Sequence, residues 1–317
     1  MEALAHDAAH EEFRHEAFFY ASRDEFLNGT AAFIRDGQAS NEPTMVLLSA
    51  EKIQALREGL GTDAHRVHFP DMNEVGANPA RIIPAWREFV AAHEAVGNRM
   101  RGIGEPIWPE RSGAELVECQ RHESLLNLAF ADSPGFYLMC PYDIAGLTPR
   151  VLLEARRSHP HVVVNGHERD NGDYCGLEEI AAPFSDPLPA PPVQPEWRVF
   201  GLRALGDLRH FVSERAERFG LDEERTGDLV VAMNEIASNS VVHGGGGGTL
   251  RVWREDDALI CEVNDKGMLD EPMVGRERPA RAQSGGHGMW MANQLCDLVQ
   301  VRSFAHGSAV RLHMNRG

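Results

Sequence analysis

The sequence predicts an α/β protein in two domains, the first built on a mostly parallel sheet and the second on helices followed by paired strands. Three observations carry this reading. Short apolar runs alternate with helix-length segments up to about residue 180; a proline-rich break follows; and beyond it two helical segments lead into paired strand patterns. At 317 residues the chain exceeds the usual size of a single hydrophobic core, and 43% hydrophobic residues leave material for two.

Candidate strands in the first domain are TMVLLSA (44–50), HRVHFP (65–70), RMRGIGE (99–105), GFYLMCPY (135–142) and HVVVNG (161–166). Around them lie SRDEFLNGTAAFIRDG, EKIQALREGLG, PARIIPAWREFVAAHEAVG, GAELVECQRHESLLNLAF and TPRVLLEARRSH. These have helical spacing and often finish at glycine or near proline. Repeated strand–helix succession needs crossover connections, which make neighbouring strands parallel and cover both faces of the sheet. The break is AAPFSDPLPAPPVQPEW, where six prolines between Pro183 and Pro195 remove backbone donors and fix φ. The expected division is residues 1–180, a linker at 181–196, and residues 197–317.

After the linker, WRVF (197–200) fits an edge strand, and residues 202–219 place Leu202, Leu205, Leu208, Phe211, Val212 and Ala216 at helical spacing. A second helix is expected from Leu221 to His243, burying Leu229, Val230, Met233, Ile236, Ala237 and Val241. Glu235 and Asn239 are four residues apart on its opposite side, so both can act on one ligand. The five glycines 244–248 read as flexible punctuation before the next strand. TLRVWRE and ALICEVND then form a hairpin, and the second strand ends in Asn264-Asp265-Lys266-Gly267. MLDEPMVGRERPARAQ, with Arg276, Arg278 and Arg281, suits a mobile lid. In GGHGM, Gly285, Gly286 and Gly288 open a helix whose first N–H groups can hold phosphate. LVQVRS and GSAVRLHM complete the sheet.

A net charge of −17 argues against broad electrostatic binding to nucleic acid or to an anionic membrane. The five cysteines form no CxxC pair, no apolar run approaches membrane-spanning length, and the charged N-terminus lacks a signal-peptide core, so a cytoplasmic location is expected. GxxxxGK[ST] does not occur; Lys52 follows a strand but lacks the glycines that bring backbone to an anion. His6, His10 and His15 read as a charged tail, because HEEFRH has one residue too many for HExxH. Cys119, His122 and Glu123 in ECQRHE fit either a ligand or redox site or helix packing, and His210 an ordinary helix-surface position.

HEAFFYASRDEFLNGTAAFIRDG, RGIGEPIW, ECQRHESLLN and FYLMCPYD resemble the MEDS sensory domain, a relative of RecA-like ATPases, over residues 15 to about 180. The resemblance implies a RecA-like fold and a sensory role. From 197 to 315, the ordered set of Glu235 and Asn239, Asp265-x-Gly267, a lid and Gly286-x-Gly288 resembles the nucleotide-binding domain of the GHKL superfamily. That implies a GHKL-type α/β sandwich that takes ATP and Mg²⁺. By the resemblance Asn239 coordinates Mg²⁺, Asp265 accepts a hydrogen bond from the adenine amino group and Gly267 makes room for the base. Gly286 and Gly288 shape the phosphate loop, and Glu235 is the general base. The closing GGHGMWMANQLCDLVQVRS is similar to the anti-sigma serine/threonine kinase branch, which implies two partners, a sigma factor and an anti-anti-sigma (STAS-type) protein, and a C2 homodimer. Two departures stand out: the family glycine two residues after Gly267 is Leu269, and His287 stands where arginine or another polar residue is common. Two other readings remain open, a noncatalytic ATP-binding module that sequesters its partner and an unorthodox sensor histidine kinase. Against the latter, a proline-rich segment stands where a phosphoacceptor helix would be.

Overall fold

The computed structural model describes residues 13–94, 99–133, 135–164, 167–176, 186–279 and 286–316. The chain divides into two compact units, Met1–Ile180 and Ala181–Gly317. In the first, the strands are β1 (Arg14–Tyr20), β2 (Thr44–Leu47), β3 (Val67–His68), β4 (Met100–Gly104), β5 (Phe136–Asp143), β6 (His161–Val164) and β7 (His167–Asp170). Their helices are α1 (Arg23–Ala39), α2 (Ala50–Leu60), α3 (Met72–Val75), α4 (Ile82–Glu94), α5 (Gly113–Ala129) and α6 (Pro149–Ser158). The sheet runs β3-β2-β4-β5-β1-β6-β7, parallel throughout except for the terminal β6–β7 pair.

Crossover helices cover both faces, as the strand–helix alternation requires. On one, α1 and α2 bring Phe26, Phe33, Ile34, Ile53 and Leu56 against Phe18, Val46, Ile103 and Met139. On the other, Trp86 of α4 lies over β4, where a Cβ at Gly102 would come 2.9 Å from its ring, and its ring centroid is 5.8 Å from that of Phe136. Ser22, Ser49, Ser112 and Thr148 cap the starts of α1, α2, α5 and α6, each accepting a backbone N–H of the first turn. At α5 the Glu115 side chain completes a capping box.

Two strands escape the sequence reading. β7 is a short antiparallel edge, but β1 lies between β5 and β6 near the middle of the sheet. His15, expected in a charged tail, is therefore a buried residue of an interior strand. His6 and His10 lie outside the described residues.

The second unit holds β8 (Glu196–Gly201), α7 (Leu205–Phe219), α8 (Glu223–Val242), β9 (Gly247–Glu255), β10 (Ala258–Asp265), α9 (His287–Leu295), β11 (Leu298–Phe304) and β12 (Gly307–Asn315). Its sheet is antiparallel, in the order β11-β12-β10-β9-β8. Phe211 and Val212 of α7, Leu229, Met233 and Ile236 of α8, and Met289 and Ala292 of α9 share one core with alternate residues of the strands, including Leu250, Cys261, Val263 and Leu312. This is the expected two-layer sandwich. The first helix starts later than its spacing suggests: residues 202–204 form a tight 3-10 turn, and Leu202 is 70% exposed rather than in the core. The linker's second half is held to this unit. Arg311 donates to the Pro189 carbonyl at 2.8 Å while paired with buried Glu262 at 2.6 Å. Among the described residues no helix is long and apolar enough to cross a membrane.

Trp86 fills the space that two glycines leave over β4, so Trp86→Ala should lower the free energy of unfolding by about 3–5 kcal/mol. Urea unfolding followed by circular dichroism measures it.

Candidate functional site

The site of the second unit is organised by α8, which starts at an Asp222 cap, buries Leu229, Met233, Ile236 and Ala237, and carries Glu235 and Asn239 on another flank. That flank does not face open solvent. Both residues are half-buried, and Gly288 of α9 lies against them: a Cβ there would be 3.0 Å from Glu235 Oε2 and 3.1 Å from Asn239 Nδ2. A side chain at 288 would fill the cradle between the helices. Just before it, Gly286 sits at the N-cap of α9 in the left-handed conformation, with φ 83°, and offers no side-chain cap. The first-turn N–H groups of α9 therefore stay available to an anion beside a carboxylate and an amide.

A second group forms at the end of β10. Asp265 Oδ1 accepts from the Gly267 N–H at 2.8 Å and from Ser308 Oγ at 2.9 Å. Two donors on one oxygen fix the carboxylate plane and leave Oδ2 to accept from a ligand. Gly244 packs directly behind: a Cβ there would lie 2.5 Å from Asp265 Cγ. The first of the five glycines is thus a wall of the Asp265 pocket rather than flexible punctuation. The last turn of α8 joins the two groups, because His243 N–H donates to the Asn239 carbonyl at 2.7 Å and Gly244 N–H to the Ser240 carbonyl at 2.9 Å.

The segment expected to be a mobile lid is anchored within its described part. Leu269 N–H donates to Ser303 Oγ at 2.8 Å while its side chain packs on the core, and Asn293 Nδ2 donates to the Gly275 carbonyl at 2.9 Å. Leu269 is therefore a core contact as well as a departure from glycine. Arg276 is buried and Arg278 exposed; Arg281 and Gly285 lie outside the described residues. His287 is exposed in the first turn of α9, and His210 is exposed on α7.

Three contributors were not singled out from the sequence: Ser308, Gly244 and Asn293. Ser308 stands directly opposite Asp265 in the β10–β12 register, so the signal was a polar residue in an apolar strand whose pairing was unknown. In the first unit, Lys52 Nζ is 2.6 Å from both Glu105 carboxylate oxygens and 2.8 Å from the Tyr20 hydroxyl. Its charge is matched inside the protein. In ECQRHE, the Cys119 thiol donates to the Pro106 carbonyl at 3.3 Å, and burial pushes it up to about 12, which makes it an inert packing residue. Glu123 instead joins a buried cluster with His15, Cys140 and His159.

With this geometry in view, the comparisons with known proteins fall into place domain by domain. Residues 14–160 match the family model described as the methanogen/methylotroph, DcmR sensory domain, MEDS, and residues 201–314 match that of the histidine kinase-like ATPase domain. No curated protein matches. Among solved structures, the RsbU and RsbW domains of Rv1364c from Mycobacterium tuberculosis are 20% identical, with a TM-score of 0.30 over 39% of this chain and 33% of that one. The histidine kinase AdeS of Acinetobacter baumannii is 9% identical, with a TM-score of 0.23 over 39% of this chain and 70% of that one. The chain carries, in order, a MEDS domain and a histidine kinase-like ATPase domain.

Proposed function

We propose that the second domain binds ATP with Mg²⁺ and phosphorylates a serine or threonine of an anti-anti-sigma protein of the STAS type. In the same reading it binds a sigma factor in the cytoplasm, under control of the sensory domain. The observation that carries this is the meeting of Glu235 and Asn239 with Gly288, a carboxylate and an amide set against a glycine-opened helix start. ATP supplies the phosphoryl group, and Mg²⁺ offsets its charge. Asn239 would offer an amide oxygen, a donor of the hard type Mg²⁺ takes alongside phosphate oxygens and water. Glu235 takes the proton that a serine or threonine hydroxyl loses as it attacks, a step a neutral imidazole acceptor does not need. Asp265 Oδ2 accepts from the adenine amino group, the bare Gly267 lets the base approach, and Gly286 with Gly288 keeps the α9 amides open to the phosphates.

Phosphorylation of the antagonist would place a charge of about −2 in a protein interface, which releases the kinase through desolvation and repulsion. The five cysteines are unpaired, in keeping with a reducing compartment. A second reading, a noncatalytic ATP-binding module that sequesters its partner, draws on Leu269, whose core packing stiffens the segment after Gly267.

Incubation with Mg-ATP and a STAS-type partner should give acid-stable phosphate on the partner. Glu235→Gln should slow transfer by about 10²–10⁴-fold while ATP affinity stays within a few-fold. Acid-labile phosphate on the chain itself would make it a histidine kinase, and ATP binding without transfer would favour the sequestering module. Asp265→Asn, which leaves two donors facing an amide, should weaken ATP binding by roughly 5- to 150-fold, equivalent to about 1–3 kcal/mol, as read by calorimetric titration.

A further inference from the structure

The first domain contains a polar cluster whose parts come from four elements far apart in sequence. His15 lies on β1, Glu123 on α5, Cys140 on β5, and His159 between α6 and β6. All four side chains are essentially excluded from solvent, and their ligand-type atoms lie within 4.8 Å of one another. His15 Nε2 is 3.2 Å from Glu123 Oε2 and 3.3 Å from Cys140 Sγ, and His159 Nε2 is 3.3 Å from the same Glu123 oxygen. Buried polar groups ordinarily resolve into donor–acceptor pairs. This cluster does not.

The surrounding hydrogen bonds show why. The Nδ1 of His159 is 2.7 Å from the Ala155 carbonyl, which can only accept, so Nδ1 carries the hydrogen and Nε2 presents a lone pair. Asn127 Nδ2 donates to the Ser158 carbonyl at 2.7 Å, which fixes the amide and aims its oxygen at His15 Nδ1, 3.1 Å away. The hydrogen of His15 is therefore also on Nδ1, and its Nε2 lone pair also points inward. Two imidazole lone pairs and a carboxylate thus face one another around a thiol. Among the described residues, Glu123 Oε1 and His159 Nε2 have no hydrogen-bond partner.

We propose that His15 Nε2, His159 Nε2, Glu123 and Cys140 Sγ bind one divalent transition-metal ion, with Zn²⁺ the best match. Zinc takes nitrogen, sulfur and oxygen ligands tetrahedrally at about 2.0–2.3 Å, which sets ligand atoms roughly 3.3–3.7 Å apart. Three of the six separations, 3.2 and 3.3 Å, already stand close to this spacing, and the others, which reach no further than 4.8 Å, would close around the ion. Binding would release the Cys140 thiol proton to solvent, so that one carboxylate and one thiolate neutralise the ion, and the Asn127 and Ala155 contacts are the outer hydrogen bonds that orient metal-bound histidines. Cys140, rather than Cys119, whose thiol is engaged by the Pro106 carbonyl, is the sulfur this site uses.

The test uses the full chain without a polyhistidine tag, dialysed against chelator and then titrated with Zn²⁺ or Co²⁺. One Zn²⁺ per chain is expected by elemental analysis, and Co²⁺ should give a thiolate-to-cobalt charge-transfer band with tetrahedral d–d absorption. Cys140→Ser, nearly the same size, should abolish the charge-transfer band, and Asn127→Ala, which touches no metal, should weaken affinity by roughly 10- to 100-fold. Circular dichroism checks that each variant is folded; where Cys140→Ser unfolds, the wild-type cobalt spectrum decides by itself. Folded wild type that takes up no stoichiometric Zn²⁺, or that binds it as tightly after Cys140→Ser or His159→Gln, would overturn the proposal and leave an internal hydrogen-bonded network only.

Discussion

The missing side chain at Gly288 is the constraint on which the second domain's site depends. Helices packed through side chains keep their axes about 8–10 Å apart, with their contact surfaces filled. A glycine at the contact lets the start of α9 reach the polar flank of α8, so that Glu235 and Asn239 border a cradle instead of a packed seam. The rest follows from holding α8 in place. Its apolar arc is sunk in the core shared with the sheet, its last turn delivers Gly244 behind Asp265, and Ser308 on the neighbouring strand locks that carboxylate. Glu235 and Asn239 lie on a helix and Asp265 at a strand end, while the segment between β10 and α9 is tied down at Leu269 and Gly275.

Much of this could be read from the chain because the relevant signals are local. The four-residue spacing of Glu235 and Asn239, the Asp265-x-Gly267 strand end and the glycines opening α9 each lie within one element or one turn. What could not be read is the pairing across elements. Ser308 acquires its role only through register with Asp265, and Gly244 only because α8 ends against β10. The first domain shows the same divide. Its strand–helix alternation predicts the parallel sheet, yet β1 was missed because a buried parallel strand has no amphipathic alternation, and this one adds buried His15 and Glu16 beside a charged stretch. In ECQRHE the helix alone could not distinguish Cys119, which packs, from Glu123, whose partners come from three other elements.

Two of the polar centres among the described residues of the first domain handle buried charge differently. Lys52, Glu105 and Tyr20 form a closed set in which donors and acceptors match, with the ammonium on both carboxylate oxygens and the phenol on one of them. The Lys52 ammonium is thus engaged by Glu105 and Tyr20, and no glycine-rich GxxxxGK[ST] loop brings backbone beside it. The His15 cluster is acceptor-rich instead, and its neighbours Asn127 and Ala155 use up the only N–H groups of the two imidazoles. A matched set rigidifies the fold, whereas an acceptor-rich set is built to receive a cation.

The placement of β1 also governs how the first domain can be made. It pairs with β5 and β6 on either side, and the His15–Cys140 contact joins residues 125 positions apart. The middle of the sheet therefore cannot close until most of the domain has left the ribosome, and until then β1, with its AFFY run, has two unpaired edges. Such long-range parallel pairing folds slowly, because loop entropy is lost before contacts repay it. Shielding of this segment during synthesis is thus a requirement of the topology itself, separate from anything the finished domain senses or binds.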